Sequence, residues 1–297
     1  MENKEIIKKL RETTNNPNIS LPSSINFNIE NKILKISLSD KGVCANMQTN
    51  ESAFEGWAMC LKAWLPELVE QVSICWNIFS IKDDDLHYER FKYRVWKFIE
   101  TYKWAENGTS FTYDYYKDNL KNWVVNFPLS IAKEDVKGEE PILEREFIDK
   151  YNANFDFINQ QLPVGIFDET VSKDSSIMPR GKSQIDIWAI KDKVLHIFEL
   201  KKNNNIMVGI ISELMYYVNI MNDIKNNRIS YPIDAEKSAY RGFNHLYTAF
   251  NQRMISSIEG HFLASELHPL ISSDVINLIN DSHLLKMEQI TYSHTAL

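Results

Sequence analysis

Apolar and polar residues alternate from Ile25 to Leu38 around Glu30-Asn31, a pattern that predicts a β-hairpin. Within Glu51 to Leu65, Phe54, Ala58, Leu61 and Leu65 fall on one helical face, and Pro66 stops the helix. Val72 to Phe79 reads as a buried strand. From Tyr88 to Trp104, the residues Tyr88, Phe91, Val95, Ile99 and Tyr102 line one side of a long amphipathic helix, leaving Arg90, Lys92, Arg94 and Lys97 around the rest. The polar stretch Ala132 to Pro141 contains Gly138 and ends in proline, so it is the best place to cut the chain. The cut gives an α+β unit over about residues 1–135, expected to select target or partner, and a second unit over 138–297.

The second unit reads as helix Leu143 to Phe155, strands Val164 to Phe167, Gln184 to Ile190 and Val194 to Leu200, then helices Val208 to Ile224 and Ala239 to Ile258. Strand His261 to Ser265, helix Ser273 to Ile279 and strand Leu284 to Thr291 complete it. The expected class is α/β, a mixed sheet flanked by helices. The short polar link Lys191-Asp192-Lys193 makes its two neighbouring strands an antiparallel hairpin.

Composition narrows the classes. With 297 residues, 44% apolar and 25% charged, the chain suits a well-buried globular protein of two domains. A net charge of -7, with six of those seven charges after residue 137, is the wrong sign for coating nucleic acid nonspecifically. A local basic groove is still compatible with it. Cys44, Cys60 and Cys75 are odd in number and lack CxxC spacing, which argues against a disulfide framework or a zinc knuckle and fits a reducing compartment. Neither a signal peptide nor a run near the roughly 20 apolar residues of a membrane helix is present, so the expected setting is cytoplasmic, away from the membrane. Six of the seven tryptophans lie within the first 123 residues; such rings can stack on unpaired bases, but their helical spacing favours core packing. The seven histidines form no HExxH and no near-spaced ligand pair, and GxxxxGK[ST], GxGxxG and GxSxG do not occur.

The chemistry concentrates in the second unit. Leu195, Ile197, Glu199 and Lys201 share one face of a strand that is apolar on both faces, while Asp186 lies among Ile185, Ile187 and Trp188 on the strand before it. Burying such charges costs several kcal/mol each unless they pair or bind metal. Glu144 falls within the apolar stripe Phe147, Ile148, Tyr151 and Phe155 of its helix, whereas Glu146 points away. Three carboxylates beside one lysine suit a hard divalent cation such as Mg²⁺. They also suit phosphodiester hydrolysis, in which the lysine orients or deprotonates water and offsets growing charge. Arg180, Lys182 and Lys202 cluster around the site in sequence and could hold phosphates.

Asp186, followed thirteen residues later by Glu199-Leu200-Lys201, with Glu144 on a preceding helix, resembles the PD-(D/E)xK nuclease superfamily over about residues 140–297. The resemblance implies a restriction-endonuclease-like fold and cleavage of DNA, less often RNA, with Mg²⁺ or, as a substitute, Mn²⁺. It implies metal ligation by Asp186, Glu199 and the Leu200 carbonyl, catalysis by Lys201, and a further acid in Glu144 that acts directly or through water. Residue 185 is Ile in place of the name-giving proline, and the family's Gln with a Tyr four residues on becomes Glu213 and Tyr217. Defence against foreign DNA or repair follows by analogy alone. An acidic enzyme needs a limited basic cleft, which dimerisation would help to complete. Two other readings are a nuclease fold that has lost catalysis and serves as a binding scaffold, and an effector gated by a ligand in an aromatic cavity near Trp57, Trp64 and Trp96.

Overall fold

The computed structural model describes residues 1–82, 85–129, 138–179, 183–202 and 207–297. The chain is mixed α/β and divides into two compact units, neither a single run of sequence. The first comprises Met1–Asp114, Ile206–Glu213 and Leu267–Lys286, and the second Tyr115–Asn205, Leu214–Glu266 and Met287–Leu297. The expected cut therefore falls inside the second unit, and residues 130–137, which hold most of it, lie outside the described residues.

In the first unit, strands β1 (Ile25–Glu30) and β2 (Ile33–Leu38) form an antiparallel hairpin. Asn31 and Lys32, at φ 51° and 65°, make its two-residue turn. Strands β3 (Gln71–Cys75) and β4 (Ala105–Asn107) add in parallel, each reached through a helix, Phe54–Trp64 and Leu86–Thr101 respectively. Helices alternate with strands here, which replaces the expected α+β segregation by βαβ crossovers. Strand β3 ends four residues short of Phe79, whose ring is 90% exposed.

The tryptophans of this unit are packing groups. Trp57 is buried edge-on to Phe27, and Trp76 meets Phe91 the same way. Burial also reaches the cations of helix Leu86–Thr101: Arg90, Lys92, Arg94 and Lys97 are all buried rather than facing water. Each is compensated. Arg94 donates from Nε to Glu55 Oε1 (2.8 Å) and from Nη2 to the Ser52 carbonyl (2.8 Å), while Ser212 Oγ donates to Glu55 Oε2 (2.7 Å). Lys92 pairs with Glu89 and sits 4.5 Å from the centre of the Tyr88 ring.

The second unit is built on a five-stranded sheet ordered β11-β10-β9-β8-β6, with β6 Phe157–Pro163, β8 Gln184–Lys191, β9 Val194–Leu200, β10 Ser257–Leu263 and β11 Ile290–Thr295. A separate pair joins β5 (Trp123–Val125) to β7 (Ile166–Asp168). Strands β6, β8 and β9 form an antiparallel meander, and β10 and β11 continue in parallel. Helix Gly209–Lys225 lies in sequence between β9 and β10, as a parallel connection requires. Helix Glu139–Tyr151 seats Phe147 on Phe198, within a buried cluster with Ile158, Ile187, Ala189, Leu200 and Leu263.

Several expected bounds shift. Helix Glu139–Tyr151 stops earlier than expected, and β6 occupies residues read as a link. The helix expected over Ala239 to Ile258 is only Phe243–Asn251, and its tail is already β10. The final expected strand is a helix, His283–Glu288, followed by β11. No helix among the described residues is long and apolar enough to cross a membrane, and all three cysteines are free.

The Arg94–Glu55 pair yields a stability prediction. Truncating Glu55→Ala strands a buried guanidinium and should cost about 3–5 kcal/mol of unfolding free energy. Urea denaturation measures it, and a loss under about 1 kcal/mol would show that Arg94 finds water instead.

Candidate active site

Strands β8 and β9 leave a two-residue turn in which Asp192 and Lys193 adopt φ 49° and 68°. Their ladder runs from Lys191↔Val194 to Ile187↔Phe198 and ends there. Past that pair, the Leu200 amide donates to Asp186 Oδ2 at 2.8 Å, so a carboxylate takes the hydrogen bond that strand pairing would otherwise supply. On the other edge of β9 the Lys201 amide donates to the Leu263 carbonyl at 2.9 Å. The strand thus stays tied to β10 as it parts from β8.

Glu199 and Lys201 share a face of this strand end, and both are buried. Lys201 Nζ donates to Glu199 Oε1 at 2.5 Å. Glu144 reaches the same region from helix Glu139–Tyr151 and is 3% exposed. Its carboxyl is pushed up to about 8, first by burial and then by the Asp186 charge, against a smaller lowering by a hydrogen bond with Gln161 and the charge of Arg241. Its Oε2 is buried without a hydrogen-bond partner. The structure therefore brings Asp186, Leu200, Glu199 and Lys201 together at the strand end, with Glu144 coupled to Asp186.

The other named residues fare differently. Lys202 holds an ion pair with Glu139, Nζ to Oε2 at 3.0 Å, and is 37% exposed. Arg180 and Lys182 lie outside the described residues. Glu213 and Tyr217 are buried on helix Gly209–Lys225.

Two residues that the sequence pattern did not single out also face this region. Gln160 and Leu162 of β6 pair with Ile187 and Ile185, yet Gln161, which lies opposite Asp186 in that register, is in the left-handed region at φ 53° and leaves the ladder. Such a conformation costs a non-glycine residue about 1–2 kcal/mol. Arg241, also left-handed at φ 51°, donates from Nη1 to Gln161 Oε1 at 2.7 Å. A half-buried guanidinium is thereby linked through one amide side chain to Glu144. The adjacent pair Gln160-Gln161, set between Ile158 and Leu162, is the only trace of this arrangement in the sequence.

The donor set of Asp186, Glu199 and the Leu200 carbonyl is all oxygen, which suits a hard cation, and the unpartnered Glu144 oxygen fits an additional charge at the site. Among the described residues, however, three donors of the His, Cys, Asp and Glu kinds come within 4.8 Å of one another only at His196, Glu259 and His261, and the three carboxylates do not meet that spacing. The histidines were expected to be scattered; cross-strand register brings two of them together. Comparison with family models, with curated proteins and with solved structures finds no match to this chain.

Glu144 has a measurable signature in stability. Its folded carboxyl titrates near 8 and its unfolded one near the ordinary 4.5, so the native state keeps a proton that the unfolded chain gives up between those values. Its contribution to stability is complete below about pH 4 and is lost as pH rises through about 8. Glu144→Gln, which cannot titrate, should gain in melting temperature relative to the parent protein between about pH 5 and pH 8. Parallel pH profiles would mean that Glu144 is not held neutral.

Proposed function

We propose that the second unit is a metal-dependent nuclease of the PD-(D/E)xK kind, with a restriction-endonuclease-like fold, that hydrolyses phosphodiester bonds in DNA in preference to RNA. The order helix, antiparallel meander, helix and parallel strand supports the fold. One observation carries the function: Asp186 bonds the Leu200 amide where β8 and β9 part, beside the buried Glu199–Lys201 pair. A surface ion pair at a strand end would leave both partners wet, and these are 1% and 9% exposed.

In this reading Asp186, Glu199 and the Leu200 carbonyl would hold Mg²⁺, with Mn²⁺ as a substitute. The cation, when bound, polarises the phosphate and lowers the pKa of water. The chain's own residues do the rest. Lys201 leaves its contact with Glu199 to orient or deprotonate the attacking water, and its charge offsets the negative charge that grows on the phosphate. Glu144 releases its proton when the site gains positive charge, so that a neutral buried acid becomes a carboxylate only where one is stabilised. Gln161 and Arg241 hold Glu144 in place from the β6 side. Because the whole chain is acidic, the grip on substrate rests on a local basic cleft that a second copy helps to form.

Incubation of the purified chain with plasmid DNA and with RNA, in Mg²⁺ or Mn²⁺, tests the reading directly. Asp186→Ala and Lys201→Ala should each slow plasmid cleavage roughly 100- to 10,000-fold. Equal cleavage by both variants would place the activity elsewhere, and an inactive parent protein would favour the scaffold alternative. The metal requirement should also depend on pH. With the Glu144 carboxyl near 8, its proton competes with the cation for the carboxylate, so the Mg²⁺ concentration giving half-maximal rate should fall as pH rises toward about 8. That slope should flatten in Glu144→Gln; an unchanged slope would remove Glu144 from the metal's surroundings.

A further inference from the structure

Strands β9 and β10 pair in parallel with His196 opposite Glu259 and Phe198 opposite His261. Alternation puts these four on the sheet face opposite Glu199 and Lys201, and the cluster shares no donor with the acidic site. His196 Nδ1 lies 3.0 Å from His261 Nε2 and 3.4 Å from Glu259 Oε2, and the third side of the triangle, His261 Nε2 to Glu259 Oε2, is 3.8 Å. Around a tetrahedral ion with bonds of ~2.0–2.2 Å, neighbouring donors stand ~3.3–3.6 Å apart. The triangle is already near that size.

The surroundings fix the donors as a metal site requires. His261 Nδ1 lies 3.0 Å from Ser293 Oγ and 3.1 Å from Thr295 Oγ1 on β11. Donating its N–H to these hydroxyls leaves the Nε2 lone pair facing the other two donors. Phe198 stacks on the His261 ring with centroids 4.3 Å apart, and Phe155 packs edge-on to His196 at 5.3 Å. Both rings are held by aromatic walls. Burial keeps His196 and His261 in the neutral form that ligates. Glu259, at 42% exposed, opens the triangle to water on one side.

We propose that His196, Glu259 and His261 form a second metal site, for a borderline transition ion of the Zn²⁺ class, with three protein ligands and a fourth position open to water. Two imidazoles and one carboxylate disfavour Mg²⁺, which prefers oxygen donors, so this site and the acidic one take different ions. As the ion takes the place of the proton between the two imidazole nitrogens, the His196 Nδ1–H bond breaks and that proton passes to His196 Nε2, while two metal–nitrogen bonds and one metal–oxygen bond replace three of the ion's bonds to water. The site pins β9 to β10 and stands whether or not the acidic site cleaves DNA.

Metal-stripped protein titrated with Zn²⁺ against a chromophoric chelator should hold one equivalent per chain, and Co²⁺ in its place should show the strong visible absorption of tetrahedral coordination. Glu259→Gln, at an exposed position that leaves folding intact, and His261→Ala should each weaken Zn²⁺ binding at least about 10-fold, and Ser293→Ala with Thr295→Val by about 10- to 100-fold. Asp186→Ala should leave the Zn²⁺ equivalent in place. Failure of the parent protein to compete with the chelator, a weak octahedral Co²⁺ spectrum, unchanged affinity in Glu259→Gln and His261→Ala, or loss of the equivalent in Asp186→Ala would each overturn the proposal.

Discussion

A single hydrogen bond, from the Leu200 amide to Asp186 Oδ2, governs the geometry of the strand ends. Where two strands part inside a protein, a buried amide left without an acceptor costs about 1–3 kcal/mol. Here an ionised side chain accepts it, which is also the stronger kind of bond. The consequence runs both ways. Strand β9 can leave β8 with that amide satisfied, and Asp186 is anchored to a backbone atom. Since the next amide, that of Lys201, is tied to Leu263, the buried Glu199–Lys201 pair projects from backbone held by β10 on one side and by an acid on the other.

Charge balance follows from that frame. A further ionised carboxylate beside Asp186 would be repelled. Glu144 is accordingly kept neutral by burial and by Asp186. The opposing influences, Gln161 and Arg241, come from backbone in left-handed conformations, and such conformations persist only where surrounding structure imposes them. The same physics appears in the first unit, where four buried cations on one helix are retained through Glu55, Glu89, Asn46, His87 and aromatic faces.

Regular elements were the legible part of the sequence. Strands β8 and β9 and their turn follow from apolar runs flanking Lys191-Asp192-Lys193, and Asp186, Glu199 and Lys201 follow from charge set within those runs. Strand β6 was hidden because its inward positions include the polar Gln160 as well as Ile158 and Leu162, so the apolar alternation lapses in the middle of the strand. Arg241 lies where apolar spacing suggested unbroken helix, but the backbone turns left-handed there. The cations Arg90 to Lys97 mark the limit of amphipathic reasoning: a helix covered on both sides buries its polar stripe too, provided partners come from its own neighbouring turn, as Glu89 does, or from distant sequence, as Glu55 does. His196 and His261 stand 65 residues apart, and only parallel register brings them together.

The turn at Asp192 and Lys193 has a reach beyond its own hairpin. Side chains on a strand switch sides with every residue, so lengthening or shortening the loop by one would send Glu199 to the side now held by Phe198 and His196, and those two to the other. Two clusters of side chains, one carboxylate-based and one imidazole-based, therefore share a single vulnerability: a length change in this surface turn would dismantle both at once, whereas replacing its two residues by others that tolerate the same backbone would spare them.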